Sequence, residues 1–279
     1  MRIAFLQAAS EIGDPARNLD RLARGARAAA GQGAGLLIAP EMFLTGYNIG
    51  AAAVARCAEP ADGPSARRAA EIARDSGIAL LYGYPERGAD GAIHNAARLI
   101  GRDGRFLLNH RKTHLFGELD RGLFTPGGDT FDVAELDGLR IGVLICYEVE
   151  FPELVRRHAL AGVDAVLVPT ALMKPYEIVT NCVVPTRAFE NQIFVAYANR
   201  VGMEGELAYC GLSCLAGPDG TVLVRGGEGE ELLTAEMDRT LLAASRAAGG
   251  FLADRRPALY RSLSGVEPAQ PRHKERPRG

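Results

Sequence analysis

Three residues of this 279-residue chain combine a suitable side chain with a suitable place for chemistry: Glu41, Lys112 and Cys146. Each follows a segment that reads as a strand. Glu41 comes after the apolar run Gly35-Leu36-Leu37-Ile38-Ala39, Cys146 after residues 140–145, and Lys112 after the second strand of an expected hairpin. A cysteine attacks as its thiolate, so it needs a cation to stabilise the sulfur or a base to take its proton. Lys112 and Glu41 supply one of each. A glutamate desolvated in a pocket has a raised pKa and can carry the thiol proton to a leaving amine. Lys112 would face the oxyanion, and the backbone N–H of Tyr147, next after the nucleophile, is a natural second donor to it.

Each residue also has a plainer reading. A cysteine at a strand end is usually inert packing, and a glutamate or lysine in a loop is usually solvated charge. His110 and His114 are spaced to share a metal only on a helix, and their loop setting argues against one. Cys210 and Cys214 lack the second pair that a zinc site needs. Gly226-Gly227-Glu228-Gly229 lacks the Lys and Ser/Thr of a phosphate-binding loop.

These residues need elements to position them, and strand-like and helix-like segments alternate through most of the sequence, the pattern of helices covering a sheet. Residues 2–8 read as a strand. Asp14 offers an N-cap and Pro15 the first position of a helix ending near Gly31 and Gly33. A helix at 64–75, a strand at 78–84 and a hairpin formed by 93–100 and 105–108 follow. Residues 110–130 read as a long loop. The spacing then predicts a strand at 140–145, a helix at 150–161, a strand at 164–168, a helix at 183–191, a strand at 193–198 and a helix at 238–247. A strand, a cysteine, a turn and a helix in succession make a nucleophile-presenting geometry. Ligand sites favour this edge of an α/β sheet, and Thr170 shares it.

Composition narrows the function classes. Charged residues are 24%, hydrophobic residues 47% and the net charge −2, which points to a globular protein with neither a nucleic-acid nor an acidic partner. The length fits one domain over 1–265, with a basic, proline-rich flexible tail over 266–279. No run is long enough to cross a membrane or to serve as a signal peptide. Five scattered cysteines fit a reducing cytoplasm.

The blocks Pro40-Glu41-Met42-Phe43-Leu44-Thr45-Gly46-Tyr47, Arg111-Lys112-Thr113-His114-Leu115-Phe116 with Phe124-Thr125-Pro126-Gly127, and Ile145-Cys146-Tyr147-Glu148 with Phe151-Pro152-Glu153 resemble, in order and spacing, the signature blocks of the nitrilase superfamily. Residues 187–191, 197–200 and 217–220 extend the resemblance over 1–245. It implies an α/β fold, a four-layer αββα sandwich, in which two chains commonly associate as a homodimer or larger homo-oligomer. It implies Glu41 as general base, Lys112 as stabiliser of the tetrahedral intermediate and Cys146 as the residue acylated, with no metal and no organic cofactor. Many members carry a second glutamate after the lysine. Here Asp120 and Glu118 are the candidates for that fourth residue.

Tyr147, where nitrilases usually have Trp, resembles the amidase and carbamoylase branches. Residues 46–50, 82–88, 112–121 and 209–211 are similar to 5-aminopentanamidase-like amidases, which implies a small ω-amino amide substrate and a place in lysine breakdown. An ammonium at the far end of a substrate needs a carboxylate or an aromatic face, for which Tyr47, Asp120, Glu148 and Tyr176 are candidates, with Thr170 also beside the site. The alternatives are an N-carbamoyl amidase, using Arg87, Arg121, Arg187 or Arg200 to bind a carboxylate, a stereoselective amino-amide amidase, a nitrilase, and a catalytically silent relative.

Overall fold

A computed structural model of the chain describes residues 1–264; the tail expected at 266–279 lies outside the described residues. Its first half contains β1 (Arg2–Gln7), α1 (Pro15–Gly31), β2 (Leu36–Ile38), α2 (Ala51–Cys57), α3 (Pro64–Ser76), β3 (Ala79–Arg87), β4 (Ile93–Ile100), β5 (Phe106–Arg111) and α4 (Gly117–Arg121). There follow β6 (Ala134–Leu136), β7 (Leu139–Val143), α5 (Pro152–Leu160), β8 (Ala165–Pro169), α6 (Val184–Asn191), β9 (Phe194–Ala198), β10 (Val201–Glu204), β11 (Leu207–Cys210), β12 (Cys214–Ala216), β13 (Val222–Arg225), β14 (Glu231–Glu236) and α7 (Arg239–Ala248).

Two six-stranded sheets result, ordered β14-β1-β2-β3-β4-β5 and β13-β12-β9-β8-β7-β6. Strands β1, β2 and β3 run parallel, as do β7, β8 and β9. Successive strand residues point to opposite faces, so an all-apolar strand must be covered on both. Leu36 and Ile38 meet Ile3, Phe5 and Leu81 between the sheets, across from Val143, Leu167, Ala196 and Leu215. Leu37 points outward, where Leu22 and Ala26 of α1 and Ala69 and Ala73 of α3 cover it. Val166, Val195 and Tyr197 are covered in turn by Val155 and Ala159 of α5 and Ala188 of α6. The layers are therefore helix, sheet, sheet, helix, the αββα sandwich expected. As expected, the Asp14 side chain accepts from the Arg17 N–H and caps α1.

Three expectations change. The helix expected at 150–161 begins only at Pro152, because residues 146–150 wind as a 3-10 turn and proline, with no N–H to donate, suits the first turn after it. The loop at 110–130 contains α4. The hairpin β10–β11 and strand β14, which pairs antiparallel with β1, lie in stretches where no element was expected.

Candidate active site

Glu41, Lys112, Cys146 and Thr170 follow β2, β5, β7 and β8, at neighbouring edges of the two sheets. The backbone of Glu41 bridges the sheets, its N–H donating to the Thr170 carbonyl at 3.4 Å. Two non-glycine residues here hold positive φ, Met42 and Cys146, both at 50°. That region is uncommon for side chains with a Cβ and marks strain held by surrounding structure. Gly83 of β3 passes directly behind the first of these turns. A Cβ there would lie 2.3 Å from the Met42 nitrogen and 2.7 Å from the Glu41 Cα, so only glycine lets the Glu41 turn sit against the sheet.

Glu41, Lys112 and Asp120 are fully buried. The Lys112 ammonium donates to Glu41 Oε1 and Asp120 Oδ2, both at 2.7 Å, and Asn95 Nδ2 donates to the same Glu41 oxygen at 2.7 Å. Asp120 is held in turn by the Tyr47 hydroxyl at 2.8 Å and the Phe116 N–H at 2.9 Å. Glu41 Oε2, buried with no hydrogen-bond partner among the described residues, is left as a free proton acceptor.

The electrostatics follow from burial. Loss of solvent pushes the Glu41 carboxyl up; the Lys112 charge opposes this and that of Asp120 reinforces it. Burial alone would lower the Lys112 ammonium, but the charges of Glu41 and Asp120 outweigh it, so the lysine stays protonated. Burial and the Glu41 charge push the Cys146 thiol well up, against the pull of Lys112, Thr170 and the Ala171 amide. The Cys146 thiol is thus held toward its neutral form and depends on a base to take its proton.

Glu148 has a different place from the one expected. It does not offer a free carboxylate to a ligand: Oε1 accepts from the Thr113 N–H at 2.8 Å and the Thr113 hydroxyl at 2.5 Å, and Oε2 accepts from the Ile145 N–H and lies by His110 Nε2, both at 2.7 Å. It therefore ties the residue before the nucleophile to the residue after the lysine. Burial would raise its pKa, but the His110 charge and the hydrogen bonds of His110 and Thr113 hold it down at about 2. Glu118 is also displaced from the expected set. It is exposed at the surface of α4 and pairs with Arg121, because on this short helix only Asp120 faces inward.

Tyr47 is buried, with its hydroxyl committed to Asp120. The Thr170 hydroxyl donates to that of Tyr197 at 2.9 Å. Tyr176 is exposed and meets Phe116 edge-on, and Phe116 in turn meets Tyr147. The sequence reading missed Asn95, whose one signal is a polar residue set against the apolar run that follows it in β4. It also missed Glu204, and named Arg200 only as a binder of a substrate carboxylate, whereas the two form a buried pair. Arg200 donates to Ser10 Oγ at 2.7 Å and to the Glu41 carbonyl at 3.4 Å, and Glu204 accepts from the Tyr47 and Asn48 N–H groups at 2.9 and 2.7 Å. Together they fasten the segment from Glu41 to Asn48.

Residues 2–247 match the carbon-nitrogen hydrolase family. This chain belongs to that family. Among relatives of this carbon-nitrogen hydrolase, a Pseudomonas protegens protein described as a hydrolase in the pqqF 5′ region is 52% identical over 264 residues, covering 95% of this chain and 92% of its own length. An (R)-stereoselective amidase of a Pseudomonas species is 36% identical over 257 residues, 92% of each chain. The NitN amidase of the bacterium Nesterenkonia sp. AN1 superposes with a TM-score of 0.81 at 36% identity, covering 94% of this chain and 99% of the other. Another structure of that amidase, a glutamate-to-glutamine variant, carries the acetamide moiety of fluoroacetamide covalently on its active-site cysteine. The carbon-nitrogen hydrolase described here acts on amides, and among its described residues no helix is long and apolar enough to cross a membrane.

Proposed function

We propose that Cys146 attacks the carbonyl carbon of a small aliphatic amide, with an ω-amino amide such as 5-aminopentanamide as the substrate type. The observation that carries this reading is the free Oε2 of Glu41 in a buried site, where Lys112 and Asn95 anchor the other oxygen of the carboxylate. As the sulfur–carbon bond forms, the thiol proton passes to Glu41. The oxyanion lies between Lys112 and the Tyr147 N–H, which sits in the first turn after Ile145 and so lacks an intrahelical partner. Glu41 then protonates the departing nitrogen, the carbon–nitrogen bond breaks and ammonia leaves a thioester. Water, deprotonated by the same carboxylate, hydrolyses the thioester and returns the proton to sulfur. Asp120 holds Lys112 and is the fourth member of the site.

The same amidase from Nesterenkonia has been captured with butyramide, which supports a small aliphatic acyl group. The arginines considered for an N-carbamoyl substrate are engaged elsewhere. Arg187 is committed to the Val149 and Glu150 carbonyls and to Glu190, Arg200 to Ser10 and the Glu41 carbonyl, Arg121 to Glu118, and Arg87 to the Ala55 carbonyl. Exposed Leu160, Phe189 and Phe251 on the α5–α6 side support association with a second copy, which the mass in solution reports.

Ammonia release from a panel of amides, carbamoyl compounds and nitriles, with Cys146→Ala as the control, tests the reading. Release from aliphatic amides alone, abolished in the variant, is the expected result. Release from nitriles or carbamoyl compounds instead would overturn the substrate assignment.

A further inference from the structure

Glu150 is a carboxylate beside the nucleophile that neither the proposed chemistry nor, unlike Glu148, the hydrogen bonding around the site uses. It stands four residues after Cys146, at the end of the same 3-10 turn. Its neighbours in that turn, Glu148 and Val149, are fully buried, whereas Glu150 is partly exposed. No hydrogen bond or ion pair reaches its carboxylate among the described residues. The nearby Arg187 spends its donors on the Val149 and Glu150 carbonyls and on Glu190.

After desolvation, which raises its pKa, the largest influence on Glu150 is the charge of Lys112, ahead of that of Arg187. Tyr197 feels both the Cys146 sulfur and Glu150, and its hydroxyl bonds Thr170 at the back of the site. Glu150 is therefore within electrostatic reach of the buried centre while partly exposed. The Tyr147 and Phe151 rings, 4.9 Å apart and edge to face, stand to either side of it in the chain. A partly exposed carboxylate with no protein partner is free to pair with a cationic group of a ligand, and partial desolvation makes that pair stronger than in bulk water.

We infer that Glu150 is the specificity-determining residue of the site, pairing with an ammonium group at the far end of the substrate's acyl chain. This rests on the amidase reading and extends it from the scissile bond to the other end of the substrate. Lys112, enclosed by Glu41 and Asp120, works at the carbonyl, and Glu150 selects for positive charge beyond it.

The test compares 5-aminopentanamide with hexanamide, which has the same length but a methyl group in place of the ammonium, by kcat/KM for ammonia release. The wild-type enzyme is expected to prefer the charged amide. Glu150→Gln is expected to reduce that preference by about 10- to 100-fold, the usual worth of a hydrogen bond to a charged group, mainly through KM. Glu150→Arg is expected to raise the ratio for the monoamide of glutaric acid, whose chain ends in a carboxylate, over hexanamide. An unchanged ratio in Glu150→Gln overturns the inference and leaves the amidase reading intact. So does a wild-type enzyme that prefers hexanamide, a comparison that needs no folded variant. If the wild type releases ammonia from neither amide, the amidase reading fails and the inference falls with it.

Discussion

Replacing Asp120 with asparagine isolates the charge that stands behind Lys112. The Asp120 and Glu41 oxygens each lie 2.7 Å from the same ammonium, which places the two carboxylates within about 5 Å of each other. At an effective dielectric constant of about 20, two like charges at that distance repel by about 3 kcal/mol. Asparagine keeps an acceptor for Lys112 and for the Phe116 N–H but removes this repulsion, and Lys112 then belongs to Glu41 alone. The Glu41 carboxyl, raised chiefly by burial and further by the Asp120 charge, must fall. A less basic Glu41 takes the thiol proton less readily. Asp120→Asn is therefore expected to lower kcat by about 10- to 100-fold and to move the acid limb of the kcat/KM profile to lower pH. Thermal unfolding should show a cost of about 1–3 kcal/mol, from Tyr47 turning its hydroxyl to a changed partner. An acid limb that stays in place or moves to higher pH would refute the coupling of Asp120 to Glu41.

Two further outcomes follow from buried groups near the site. Gly83→Ala is expected to cost about 1–3 kcal/mol in stability and, by shifting Glu41 up to about 1 Å, about 100-fold in kcat; an active variant with unchanged kcat would show that the close approach behind Glu41 is unimportant. Acid should unfold the protein in two overlapping ranges, which urea melts at stepped pH would resolve. Burial holds His158 down at about 4, so the stability tied to its neutral form is present above its ordinary value near 6.5 and is lost as pH falls toward 4. The Glu148 carboxyl is held at about 2 by His110 and Thr113 against burial, so its contribution is present above 4.5 and is lost between 4.5 and 2. Glu148→Gln should remove the lower range; if that range survives, another carboxyl is responsible.

The centre of the site was legible because strand ends are legible. Uniformly apolar runs delivered Glu41 and Cys146 to the correct sheet edges, and the hairpin delivered Lys112. What the sequence concealed was direction and partnership. Nothing in the order Glu118, Leu119, Asp120 shows which carboxylate turns inward, since that depends on a five-residue helix inside what reads as a loop. Glu148 looked available to a ligand because two of its three hydrogen-bonding partners, Thr113 and His110, lie 35 and 38 residues away in sequence and meet it only in the fold. Asn95, Arg200 and Glu204 are buried polar residues whose bonds to Glu41, Ser10, Tyr47 and Asn48 reach far along the sequence. Periodicity carries no record of such pairs.

The reading of Cys146 as a nucleophile that becomes acylated is tested most directly by intact-protein and peptide mass spectrometry of the wild type, Glu41→Gln and Cys146→Ala, quenched in acid after brief exposure to a small aliphatic amide. The wild type is expected to carry the acyl group as a single thioester on the Cys146 peptide and Cys146→Ala to carry none, while glutamine at position 41 can neither take the thiol proton nor give it to the departing nitrogen, so Glu41→Gln is expected to form no thioester and release no ammonia. An adduct on Cys57 or Cys182 instead, or turnover by Glu41→Gln at the wild-type rate, would contradict the assignment of nucleophile and base.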